Sequence, residues 1–190
     1  LKNSNSKDLA VLKAVLKLKL PDVASALKKS PDSINSIDET TGDSALHLAV
    51  QAAANEIVHL FIQQPGLDVN IRNWNGATPL HKAIPLENFR DDIFLDLLNA
   101  GADKNLVDKN DLSPLATAIN TDPPNDIAVK LLTEKGADIN QKSSKGATSL
   151  HAACHAGRAS IVKYLVRKGA DVNIPNEIGN TPLHIAALHN

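Results

Sequence analysis

The strongest constraint on this chain is one short string written five times at nearly constant spacing. SALH ends at His47, TPLH at His81, SPLA at Ala116, TSLH at His151 and TPLH at His184. Their leucines, Leu46, Leu80, Leu115, Leu150 and Leu183, are 34, 35, 35 and 33 residues apart. A second marker, D-V-N or a variant of it, ends at Asn70, Asn105, Asn140 and Asn173 and keeps the same period. Two independent markers with one period describe a supersecondary unit that stacks on copies of itself, because no single unit buries its own apolar face. The nine glycines obey the same period. Gly42, Gly76, Gly146 and Gly179 precede the first marker, Gly66, Gly101, Gly136 and Gly169 precede the second, and Gly157 separates two apolar segments. None remains for a phosphate-binding loop, and no nucleophile elbow or kinase signature occurs.

The local chemistry of the unit predicts helices at defined places. Thr78 and Thr181 are N-caps, Pro79 and Pro182 supply the backbone angle favoured at the first helical position, and Leu80 and Leu183 open an apolar face. A glycine ends the second helix in NAGAD, EKGAD and RKGAD. Before that stop Ile161, Val162, Tyr164 and Leu165 keep helical spacing. Composition agrees: 43% apolar and 22% charged residues describe a folding chain, while one Trp, one Tyr and three Phe describe a thin core of small aliphatics. No apolar run reaches the roughly 18 to 20 residues of a membrane span. The single Cys154 closes no internal disulfide, which fits a reducing compartment.

These markers resemble those of ankyrin-repeat proteins, whose units of about 33 residues form a β-turn and two antiparallel helices. The resemblance implies an all-α ankyrin-repeat solenoid of helix-turn-helix units with β-hairpin arms. It is read as one domain over residues 1–190: a divergent capping repeat at 7–35, full repeats at 36–70, 71–105, 106–140 and 141–173, and the start of a further repeat at 174–190. The cap is a reading of register, since a shift of 35 residues places Asn35 over Asn70 although the motif is lost. A membrane-surface amphipathic helix is the alternative for LAVLKAVLKLKL. The chain opens on Leu1 and stops inside a first helix, which reads as a fragment of a longer array.

The resemblance implies protein–protein recognition on a concave face of hairpin tips and first helices, with no catalysis and no cofactor. Transferring the family's variable positions selects Glu39, Asp43, Trp74, Asn75, Lys109, Leu112, Lys145, Glu177 and Ile178 in the arms. Gln51, Leu86, Asn120 and His155 follow on the first helices. Trp74 is expected to be an exposed anchor without a structural role. The alternative reading is a targeting or substrate-recruiting segment of a larger enzyme or membrane-associated protein. Either reading implies a cytoplasmic or nuclear setting and a monomer. Two histidines at i and i+4 around Cys154, in HAACH, have zinc-like spacing. His151, however, is the motif histidine, with the structural hydrogen-bonding role the resemblance implies, and Cys154 occupies a small buried position, so no metal is expected. Asn140 and Asn173 stand in a context resembling that of ankyrin asparagines hydroxylated in animals.

Charge is uneven. Residues 31–103 carry eleven acids against three bases, while the whole chain is at −1. A partner protein or peptide with a basic segment facing these repeats is expected. Nucleic acid is not, because an acidic centre opposes phosphate binding.

Overall fold

The computed structural model describes residues 9–85 and 89–189. Chain contacts divide into two compact units, Leu1–Asp103 and Lys104–Asn190.

In the first unit, α1 (Leu9–Leu16) and α2 (Leu20–Lys29) are followed by a short 3-10 turn at Pro31–Asn35. Then come α3 (Ala45–Gln51), α4 (Asn55–Ile62), α5 (Pro79–Ala83) and α6 (Asp91–Asn99). α3 packs on α1, α4 and α5, and α4 packs on α2 and α6. Within the lysine-rich segment α1 buries Val11, Leu12 and Val15, while Lys13, Leu16, Lys17 and Leu18 are exposed.

The second unit holds α7 (Pro114–Asn120), α8 (Asp126–Glu134), α9 (Ser149–His155), α10 (Ala159–Arg167) and α11 (Pro182–Leu188). α7 packs on α8 and α9, and α9 packs on α10 and α11. The proline-rich segment between α7 and α8 stays outside both helices and contains a cis Asp122–Pro123 bond.

Helix ends follow the sequence chemistry. Thr78 and Thr181 stand at N-caps with proline next, and Ser44 and Ser113 take the same place. At the far end of α6, Gly101 has φ +92, the Gly101 N–H donates to the Leu98 carbonyl and the Ala102 N–H to the Leu97 carbonyl. That doubled bond closes the last turn and needs the left-handed conformation glycine adopts at no steric cost. The bond pairs recur after α8 and α10.

The arms contain no strand among the described residues; an isolated antiparallel bridge joins Ile37 and Ser44. They are built instead by side chains that mimic backbone. The Asn73 Oδ1 accepts from the Asn75 and Ala77 N–H groups, and Asn176 and Asp108 do the same two and four residues on. Such Asx turns hold a tight loop without ladder partners. Asp111, which stands where other arms have glycine, adopts φ +65, a conformation Asp tolerates better than most side chains.

Candidate partner-contact surface

Three hydrogen-bond devices hold successive units in register and thereby set which side chains remain free. The first is the motif histidine. The Ser44 N–H donates to His47 Nδ1 at 3.1 Å, and the other ring nitrogen, Nε2, lies 2.9 Å from the Ala77 carbonyl of the next arm. A backbone N–H only donates and a carbonyl only accepts, so the ring is neutral with its proton on Nε2. His151 repeats the arrangement with the Thr148 N–H and the Asn180 carbonyl. Burial pushes the His47 pKa below its usual 6.5, against opposing pulls from the Ala77 carbonyl and the Asp43 charge.

The second device is the marker asparagine. Asn70 Nδ2 donates to the Gly101 carbonyl, and its Oδ1 accepts the Asp103 N–H at 2.7 Å. Asn35 clips Gly66 and Asp68 in the same way, and Asn140 clips Gly169 and Asp171. Sequence reasoning found this residue as a period marker and missed its role; exact recurrence beside a glycine loop was the available signal.

The third device joins consecutive turn tips. The Trp74 N–H donates to the Thr41 carbonyl at 3.1 Å and the Glu177 N–H to the Lys145 carbonyl at 3.0 Å. At the third arm the Asp111 carboxylate accepts the Ser144 N–H. The close approach needs a glycine at Gly42, where a Cβ would lie 2.7 Å from the Trp74 Cδ2 atom.

Against this frame the expected contact residues separate. Glu39 and Trp74 are brought together in the first unit, and Lys145 and Glu177 in the second. Glu39, Asn75, Lys109, Lys145 and Glu177 are exposed, Ile178 is 80% exposed, and Leu112 is partly covered. Gln51, Asn120 and His155 are exposed at the C-terminal ends of α3, α7 and α9, and His155 stacks obliquely on His189. Leu86 lies outside the described residues.

Two expectations are corrected. Asp43 is only 5% exposed: it accepts from Asn73 Nδ2 at 2.6 Å and pairs with Lys82 at 3.4 Å. Its carboxylate is engaged within the chain, where it braces the tip. Trp74 is half exposed, yet its ring lies over Gly42 and its Nε1–H donates to the Glu39 carbonyl at 3.2 Å. One part of the indole is structural and the rest is offered to solvent.

The HAACH segment is occupied in its own way. Both ring nitrogens of His151 are engaged, and burial raises the Cys154 thiol pKa, which keeps it a weak nucleophile. Among the described residues no group of three or more His, Cys, Asp or Glu is placed to hold a metal ion. No helix there is long and apolar enough to cross a membrane.

Comparison with known proteins agrees with this geometry. The family profile of ankyrin repeats in three copies matches residues 11–108 and 115–190. The B-cell lymphoma 3 protein homolog of Mus musculus is 33% identical over 147 residues, which are 75% of this chain and 32% of that protein. The crystal structure of the ankyrin repeat domain of Bcl-3, described as a unique member of the IkappaB protein family, superposes with a TM-score of 0.77 at 25% identity, covering 97% of this chain and 95% of that one. The ankyrin repeat protein EF0377 gives a TM-score of 0.82 at 26% identity, covering 97% and 93%. The chain therefore spans about a third of the length of the mouse relative.

Proposed function

Because the chain belongs to the ankyrin-repeat family, we propose that it is a protein–protein interaction module whose partner engages the turn tips and first helices. The observation that carries this reading is the division of labour at the tips. The Trp74, Asn75, Glu177 and Ile178 N–H groups are bonded within the chain, while the side chains of Glu39, Asn75, Lys109, Lys145, Glu177, Ile178 and half of Trp74 face solvent. A backbone already held in place needs little further ordering on binding, which favours affinity. An aromatic or apolar anchor among charged neighbours is the composition of binding hot spots. A basic segment in the partner would complement the acidic residues of 31–103.

The test is quantitative. Partners captured by the wild-type chain are re-measured against a variant carrying Trp74→Phe, Lys145→Glu and Ile178→Asp, with thermal unfolding as the folding control. At least a tenfold rise in Kd at unchanged fold supports the surface. Equal affinity places the contact elsewhere.

The share of the mouse relative that the chain spans favours a second reading, that this is the recruiting segment of a longer protein whose activity lies in other regions. A comparison of partner sets between this segment and the full-length protein separates the two.

A further inference from the structure

The third motif string ends in Ala116, and the structure shows what that change does to the histidine device. A cavity of about 190 Å³ lies beside Ala116, lined by Ser113 and Leu112 of the third arm and by Gln141, Lys145, Ala147 and Thr148 of the fourth. It belongs wholly to the second unit.

The polar groups around it match those the histidine ring joins elsewhere. At His47 and His151 the ring accepts an N-cap N–H on one side and meets a carbonyl of the next arm on the other. Ser44 and Thr148 give that N–H; Ser113 is their counterpart, and no described residue accepts from its N–H. Ala77 and Asn180 give the carbonyl, each taking a backbone N–H besides the ring. Their counterpart, Ala147, takes only the backbone N–H of Ser143 among the described residues. On the same wall Gln141 is anchored through Nε2, which donates to the Asn105 carbonyl. A donor, an acceptor and space stand together where an imidazole sits in the sister repeats.

We propose that this cavity is a binding site for a neutral imidazole, the side chain of a histidine presented by the partner protein. The pyridine-like nitrogen takes the Ser113 N–H, and the N–H of the ring donates to the Ala147 carbonyl. This rests on the reading that partners engage tips and first helices, since exposed Lys145 and partly covered Leu112 line the same cavity. The flat ring, with one acceptor and one donor on opposite edges, is what distinguishes it from ammonium, guanidinium and carboxylate groups. Protonation removes the acceptor and leaves two donors, so the Ser113 N–H loses its match. The charged groups lining the cavity are Asp111, Lys142 and Lys145. The Asp111 carboxylate is held by the Ser144 N–H, and the two lysines repel an imidazolium.

The experiment needs no partner. Blocked N-acetyl-histidine methylamide, with free imidazole and the matching alanine derivative as further arms, is titrated into the intact chain and followed by backbone and side-chain amide NMR. The expected result is saturable shifts at Ser113, Ala147 and the Gln141 side chain at about pH 8 that vanish at about pH 5, where the ligand is protonated. Ala116→His should remove them by supplying the ring from within, and raise the thermal midpoint. Ala116→Leu, which fills the space without polar atoms, should remove them without restoring either bond. A larger response to the blocked histidine than to free imidazole marks a peptide-borne ligand. No shift at these three sites, equal shifts with the alanine derivative, a stronger response to free imidazole, or shifts that survive both substitutions would overturn the proposal. Because no partner is present, failure here leaves the tip surface standing, and failure of the tip variants leaves the cavity standing.

Discussion

At the scale of single residues, His47 is held at both ring nitrogens, between the Ser44 N–H and the Ala77 carbonyl. The structural role of this histidine was legible through the resemblance to ankyrin repeats, which implies it for the motif position. The structure adds its pH behaviour. Burial holds the folded pKa of His47 below 6.5, so below that pH the unfolded chain takes up the proton more readily. The contribution of His47 to stability is therefore complete above 6.5 and is lost as pH falls from there towards its lowered folded value. Urea unfolding of wild type and His47→Ala should show a gap of about 1 to 3 kcal/mol at neutral pH that shrinks in this window. A constant gap would mean the ring titrates alike in both states. Trp74 is the opposite case, because no periodic rule announces that an indole will lie over Gly42. Trp74→Ala should lower stability by about 1 to 2 kcal/mol, for the lost Nε1 bond and ring contact. Gly42→Ala should cost about 1 to 3 kcal/mol, since it places a side chain at φ +73 against that ring. Thermal unfolding with no change in either variant would remove the tip-to-tip contact.

At the scale of elements, caps, helix starts and glycine stops were legible because each depends on residues within one turn of the chain. Contacts made 30 or more residues away were not. The asparagine clips are the main example, and Asn70→Ala should cost about 1 to 2 kcal/mol, two partly exposed hydrogen bonds being lost. Hydrogen exchange at the Asp103 amide should quicken in that variant, and unchanged protection would deny the clip. The same limit governs the leucines. By pattern Leu150 and Leu183 are equivalent core residues, yet Leu150 is 2% exposed and Leu183 is 76% exposed. Leu150→Ala should therefore cost about 2 to 5 kcal/mol, while Leu183→Ala should fall within about 0.5 kcal/mol of wild type. A motif position reports which face a residue takes on its helix, and packing decides whether that face is covered.

At the scale of the whole molecule, counting charges gave the right sign for residues 31–103 and an incomplete idea of where the charge sits. At the turn tips Asp43 is buried on Lys82, and Asp38 is held by Thr40 and Thr41, which keeps its carboxyl below the usual range. Glu39 is the exposed tip acid of that segment. Much of the remaining charge stands on the second helices, as Glu56 on α4 and Asp91, Asp92 and Asp96 on α6, with Arg90 bonded to Asp92 at 2.8 Å. An acid field on the second helices would act on a basic partner mainly through its approach. Such a field acts on encounter and is screened beyond about 8 to 10 Å at physiological ionic strength. Raising salt should therefore slow association with a basic partner and leave dissociation nearly unchanged. Asp91→Asn with Asp96→Asn should reproduce the slower association at low salt, and Glu39→Gln should act mainly on dissociation, because Glu39 stands beside Trp74 at the tip. Stopped-flow or surface-binding kinetics read both rates. Association insensitive to salt would remove the steering, and a larger dissociation effect from the α6 variants than from Glu39→Gln would move the contact onto the second helices.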